Sequence, residues 1–157
     1  MLSTDLPKSA APQAEFDFWL GTWDLRWVTP EGHPRAGTNV VTRALGGAAI
    51  LESFSDPVGS DGYGYEGMSL STYDASTGRW HQTWVDSAGS HLCFDGGLDG
   101  DRMRMTRHCV VDGNPVVQAM TWHSISASSI VWEWARSRDA GTTWELLWRI
   151  DYQRAEA

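Results

Sequence analysis

No stretch of this sequence is apolar for long enough to form a membrane-crossing helix. The longest run without charged residues, 113–132, is broken by Pro115, Gln118, His123 and several serines, whereas a spanning helix needs about 20 mostly apolar residues. Positive charge is also scarce. A formal net charge of −8 excludes the basic surface that nucleic acid or an anionic membrane requires, so neither is expected as a partner. Sustained helical periodicity is missing, which argues against a helical bundle. There are only two cysteines, Cys93 and Cys109, which points to a reducing, cytoplasmic setting. A two-residue turn at Asp99-Gly100 would place Cys93 opposite Thr106 and Cys109 opposite Ser90. The thiols then miss each other by about three positions, and both are expected to be free. P-loop, Gly-x-Ser-x-Gly and paired Cys-x-x-Cys signatures are lacking. The segment 62–67, "GYGYEG", spells Gly-x-Gly-x-x-Gly, but it follows a loop and opens a strand, so it lacks the strand-then-helix setting of a dinucleotide site.

The residues that are present describe a single globular β domain. Hydrophobic residues make up 41% and charged residues 20% of 157, enough for one core. Residues 1–14 read as a flexible leader and 15–157 as the domain. Turn chemistry recurs at Pro30-Glu31-Gly32, Gly46-Gly47, 74–78, Ser87-Ala88-Gly89, Asp99-Gly100, Asp112-Gly113-Asn114 and Asp139-Ala140-Gly141, with alternating or β-branched and aromatic stretches between. The pattern predicts strands over 22–30, 37–45, 48–55, 65–74, 79–86, 89–98, 101–111, 115–126, 128–138 and 143–152. A single helical turn is expected over 15–20. The fold class is all-β: an antiparallel up-and-down meander of about ten strands closed into a barrel, with the Gly-rich connector 55–64 as a flap.

Ten tryptophans dominate the question of what the barrel encloses. Alternation assigns Trp23, Leu25 and Trp27 to the inside, with Trp80, Gln82, Trp84 and Asp86, then Leu92 and Phe94, then Met103 and Met105, Met120 and Trp122, and Ile130, Trp132 and Trp134. On the last strand Trp144, Leu146, Trp148, Ile150 and Tyr152 share the inward parity. Strand 65–74 is ambiguous, because Met68 and Leu70 compete with Tyr65 and Tyr73 for the inside. Five polar residues also fall inward: Glu52, Gln82, Asp86, Arg107 and Arg136. Buried charges must be paired or wet. Either these groups sit near the barrel mouth, or Glu52 and Asp86 pair with Arg107 and Arg136, or the groups converge on a cavity and orient a ligand. The histidines, His33, His81, His91, His108 and His123, show no metal-ligand spacing and point outward. No metal or cofactor is implied, and haem would need one histidine turned inward.

Three resemblances carry further expectations. Gly21-Thr22-Trp23 opens the first strand and resembles the Gly-x-Trp signature of the calycins, the superfamily of lipocalins and fatty-acid-binding proteins. That implies a tryptophan plugging the closed barrel end. "FDFWLGTWDLRW" and "YDASTGRWHQTWVDSAG" resemble a bacterial lipocalin-like family of unknown function, similar in layout to nitrobindin-like ten-stranded barrels. "SRDAGTTW", 137–144, resembles the Asp-box of sialidase-like proteins, which implies a hairpin stabilised by Asp139, Gly141 and Trp144. "YDASTGRW" resembles a looser version of that corner.

The functional expectation is a protein, monomeric or homodimeric, that binds a small hydrophobic or planar molecule. The expected aromatic lining is Trp27, Trp84, Phe94, Trp122, Trp132, Trp134 and Trp148, with Met105 and Met120 as soft surfaces. Glu52, Gln82, Arg107 and Arg136 are the expected polar contacts. The alternative is an isomerase, cyclase or hydratase in the same cavity, with Glu52 or Asp86 moving protons and Arg107 steadying an oxyanion. A third reading is a filled barrel with a structural or partner-binding role.

Overall fold

The computed structural model describes residues 11–156. Most of the segment expected as a leader, 1–14, lies outside the described residues; within the rest, Pro12–Ala14 forms a 3-10 turn. A second such turn, Asp17–Trp19, leads into ten strands. They are β1 (Gly21–Val28), β2 (Pro34–Ala44), β3 (Ala49–Asp56), β4 (Tyr65–Asp74), β5 (Arg79–Asp86), β6 (His91–Asp99), β7 (Arg102–Val111), β8 (Asn114–His123), β9 (Ser129–Ser137) and β10 (Glu145–Arg154). Each pairs antiparallel with the next. β1 pairs with β10 from Trp23↔Arg154 to Arg26↔Asp151 and closes the ring. Closure leaves no unpaired sheet edge.

Period-two alternation puts the apolar residues inside. Trp23, Leu25, Met103, Met105, Trp122 and Ile130 are all buried, and each large ring removes on the order of 200 Å² of apolar surface from water. One end is sealed by the amino-terminal turns. Phe16 and Trp19 are fully buried there, and Phe16 meets Trp80 and Trp122 edge-on at 5.3 and 5.0 Å. The Trp23 indole donates to the Trp19 carbonyl at 2.8 Å. The Arg154 guanidinium lies 4.2 Å over the Trp23 ring and donates to the carbonyls of Leu20 and Ala127, each at 2.8 Å. Arg43 pairs with Asp17 and ties the plug to β2.

Two sequence expectations are corrected. On β10 the alternation breaks at a bulge between Leu146 and Trp148, because one extra residue flips the face of everything before it. Trp148, Ile150 and Tyr152 point inward as expected. Leu146 is 54% exposed, and Trp144 lies outside with the Arg104 guanidinium 4.5 Å over its ring. The β6–β7 turn is centred one residue later, since Asp99 pairs with Arg102 and Gly100 supplies the positive φ of 65°. Both cysteines are free. On β4 the ambiguity resolves against the apolar residues: Met68 and Leu70 are each 48% exposed, while Ser69 and Ser71 are buried.

The segment 137–144 is a structural corner. Asp139 accepts hydrogen bonds from the Thr143 amide at 2.8 Å, the Thr143 hydroxyl at 2.6 Å and the Ser137 hydroxyl at 2.7 Å. These bonds pull its pKa down to about 2. Gly141 has φ +92°, and the Trp144 indole donates to its carbonyl at 3.1 Å. Asp74 makes a comparable corner with the amide and hydroxyl of Ser76.

Candidate functional site

The barrel is sealed at the plugged end and hollow toward the other. Between the two lies a cavity of about 220 Å³. Phe54 on β3, Trp84 on β5, Phe94 on β6, Trp132 and Trp134 on β9 and Trp148 on β10 form most of its wall. The rings meet edge to face. Trp132 stands at 87° to Trp148, Phe94 at 76° to Trp134 and Phe54 at 86° to Trp148, with centroids 5.5–6.0 Å apart. Edge-to-face contact satisfies the ring quadrupoles and braces the wall at steep angles.

The polar part of the wall comes from β2, β3, β4, β5 and β10. Glu52 is 7% exposed. Its carboxylate accepts from Asn39 Nδ2 and Ser69 Oγ, each at 2.7 Å. Asn39 Nδ2 also donates to the Tyr152 hydroxyl at 3.0 Å. No cation pairs with Glu52 among the described residues. Burial therefore raises its pKa from 4.5 to about 7, against the lowering effect of the two hydrogen bonds. Gln82 is buried and donates Nε2 to Ser71 Oγ at 2.9 Å.

Asp86, on the same wall, is handled differently. Its Oδ2 accepts from the Tyr65 hydroxyl at 2.8 Å and the Trp84 indole at 2.9 Å. Its Oδ1 accepts from the amides of Ala88 and Ser90 at 3.0 and 3.1 Å. Burial acts to raise its pKa, but these hydrogen bonds outweigh it and leave the group below its ordinary value. Asp86 is thus a fixed anion that holds Tyr65 and Trp84 in place.

Nine of the thirteen residues expected to contact a ligand line this cavity: Glu52, Gln82, Trp84, Phe94, Met120, Trp122, Trp132, Trp134 and Trp148. Four do not. Met105 is fully buried as core packing. Trp27 stands behind Trp148, edge-on at 5.5 Å, and opens to a separate surface depression. Arg107 is on the inner face but beyond the cavity, donating to Gln118 at 2.6 Å. Arg136 forms a fork with Glu145 at 2.8 and 3.2 Å. Arg107 sits one residue past the β6–β7 ladder and Arg136 at the end of the β9–β10 ladder, where a guanidinium keeps water, and the pairing of Glu52 and Asp86 with these arginines does not occur. The histidines stay outside: His33, His81, His91 and His108 are exposed, and His123 bonds Glu133 on the outer face.

The lining also includes Phe54, Tyr65, Leu92, Ile150 and Tyr152, which the sequence reading left out of the site, and Asn39 and Ser69 reach it through Glu52. Asn39 was detectable by parity, two residues before the buried Val41 on β2. Ser69 was hidden by the apolar Met68 and Leu70 that flank it.

One glycine sets the position of Trp84. A Cβ on Gly67 would sit 2.1 Å from two atoms of the Trp84 ring. Gly67→Ala is therefore expected to displace Trp84, break its bond to Asp86 and cost about 1–3 kcal/mol. Urea unfolding and the near-ultraviolet circular dichroism of the indoles check this; an unchanged spectrum and midpoint would refute it.

Among solved structures, a redesigned beta barrel is 13% identical with a TM-score of 0.48, covering 95% of this chain and 100% of its own. A de novo designed fluorescence-activating beta barrel is 15% identical with a TM-score of 0.49, covering 91% and 98%. No curated protein matches. Residues 12–154 match one family model, which spans the plug and all ten strands, and the chain belongs to that family, described as "Protein of unknown function (DUF1579)".

Proposed function

We propose that the barrel binds one small, flat, largely apolar molecule in its cavity. The observation that carries this reading is the cavity itself: about 220 Å³ walled largely by indoles. Protein interiors are close-packed, so a hollow of this size with a mostly apolar, aromatic wall and a few converging polar groups has the make-up of a small-molecule site. A cavity of about 150 Å³ accepts benzene; this one is about one and a half times larger and suits a two-ring molecule or one ring with a short arm. The buried Trp23 at the head of β1 supports kinship with the calycins, whose barrels take ligands in the same place.

The test is intrinsic fluorescence. A neutral two-ring aromatic should quench the indoles saturably, with one site per chain, and the quenching should survive Glu52→Gln. Quenching that rises linearly without saturation would overturn the reading. A second reading, an enzyme of isomerase, cyclase or hydratase type, rests on one observation: Glu52 has a pKa near 7, where a carboxyl both takes and gives protons at neutral pH. Its oxyanion partner is missing, since Arg107 and Arg136 lie outside the cavity. Turnover abolished by Glu52→Gln with quenching retained would favour it.

A further inference from the structure

We propose that the preferred ligand is an organic cation: an aromatic ring among the indoles with a short arm that brings an ammonium group to Glu52. This rests on the binding role proposed above and names the chemical class of ligand.

Charge is the first argument. Two carboxylates, Glu52 and Asp86, line the cavity, and among the described residues its wall contains no lysine, arginine or histidine. An anionic ligand would meet like charge in a water-poor space with nothing to offset it. A cation would supply the partner that the protein withholds.

Hydrogen-bonding capacity is the second. A carboxylate offers about four lone-pair positions; the protein fills two on Glu52, through Asn39 and Ser69. Gln82 gives one of its two amide N–H groups to Ser71 and keeps its carbonyl oxygen for another donor. Tyr65 and Trp84 already donate to Asp86, so neither serves Glu52. The acceptor positions left over on Glu52 and Gln82 have room for a further donor, and an ammonium brings three.

The third argument is the pattern of β4. Met68 and Leu70 face solvent while Ser69 and Ser71 are buried. Exchanging the two faces would bury apolar side chains and remove the buried hydroxyls. The chain instead keeps the hydroxyl that fixes Glu52 and the one that fixes Gln82. Around them the wall is indole and phenyl, whose faces attract cations.

The groups facing Glu52 define what else titrates with it. Asn39 comes from β2 and Ser69 from β4. Tyr152 on β10 and Tyr65 on β4 interact with its charge, and both phenols are pushed above their ordinary range by burial. Asp86 on β5 stays ionised. Near neutral pH only Glu52 is partly protonated, so a cation entering the cavity should expel its proton.

Calorimetry with phenethylamine, phenethyl alcohol and phenylpropanoate tests this. Near pH 7 the amine should bind at least about tenfold more tightly than the alcohol, as one charge-assisted contact allows, and phenylpropanoate should bind most weakly. In buffers of different ionisation heat, the amine should release a proton on binding and the alcohol should not. Glu52→Gln should abolish the preference; if that variant does not fold, proton release by the unaltered protein decides. Equal or tighter binding of the alcohol would overturn the cation and leave the binding role standing. Failure of all three probes and of the neutral two-ring aromatic would overturn both.

Discussion

Trp23→Ala is expected to destabilise the barrel by about 4 kcal/mol, within the range of about 3–5 kcal/mol for deleting a buried tryptophan. Trp23 has no exposed surface, donates to the Trp19 carbonyl, lies under the Arg154 guanidinium and meets Tyr152 edge-on at 5.8 Å. Its loss would leave a cavity at the sealed end, an orphaned carbonyl on the plug and a guanidinium without its ring. A domain of this size holds about 5–15 kcal/mol in all, so the melting temperature should fall by roughly 8–16 °C. Trp144→Ala is the control. Trp144 is 36% exposed on the outer face, and its removal should cost no more than about 1 kcal/mol. Comparable losses for the two variants would mean that the sealed end is not the centre of stability.

That contrast also shows how far the sequence could be read. Both tryptophans sit in strand-like alternation beside similar neighbours. The ten strands were legible because turn chemistry recurs between them, because β1 alternates cleanly, and because Met103 and Met105, Met120 and Trp122, and Ile130, Trp132 and Trp134 stand at every second place on β7, β8 and β9. The bulge on β10 was not: period-two counting assumes an unbroken ladder, and nothing at Leu146 or Leu147 marks the extra residue. β4 misleads for a different reason. Apolar residues normally go inside, but Ser69 and Ser71 are held there by Glu52 and Gln82, partners that lie on other strands and only the pairing register brings near.

For the site, parity gave the face and not the height. Arg107 and Arg136 share inward parity with Met105 and Trp134, yet Arg107 lies just past the β6–β7 ladder and Arg136 at the end of the β9–β10 ladder, where a charge reaches water. Met105 has the right face but sits too deep. A two-residue repeat carries no information about position along the barrel axis, which is why four expected contacts fall outside the cavity while nine fall inside. Glu52 was found because a carboxylate between Ile50 and Phe54 breaks an apolar face. Its lack of a cation could not be read from the sequence, since that depends on where the arginines end.

That lone carboxylate leads to an unusual pH profile. Moving a carboxyl pKa from 4.5 to about 7 corresponds to roughly 3 kcal/mol. The folded state holds the Glu52 proton more tightly than the unfolded chain does. The penalty is therefore absent below about pH 4.5, grows as the unfolded chain ionises, and is complete once the pH passes about 7. Glu52→Gln carries no such charge. Turning the Asn39 amide over lets it serve either a protonated Glu52 or a glutamine, because Asn39 Oδ1 is buried and without a partner among the described residues. In urea unfolding across pH, Glu52→Gln should match the unaltered protein near pH 5 to within about 1 kcal/mol and exceed it by roughly 2–3 kcal/mol above neutrality. Asp86, Asp139 and Glu145 have lowered pKa values, so their contribution is lost in acid; it is common to both proteins and cancels in the difference. A difference that stays flat with pH, or that favours Glu52 in alkali, would mean that a cation reaches this carboxylate within the chain, and the cavity would then have no need of one from a ligand.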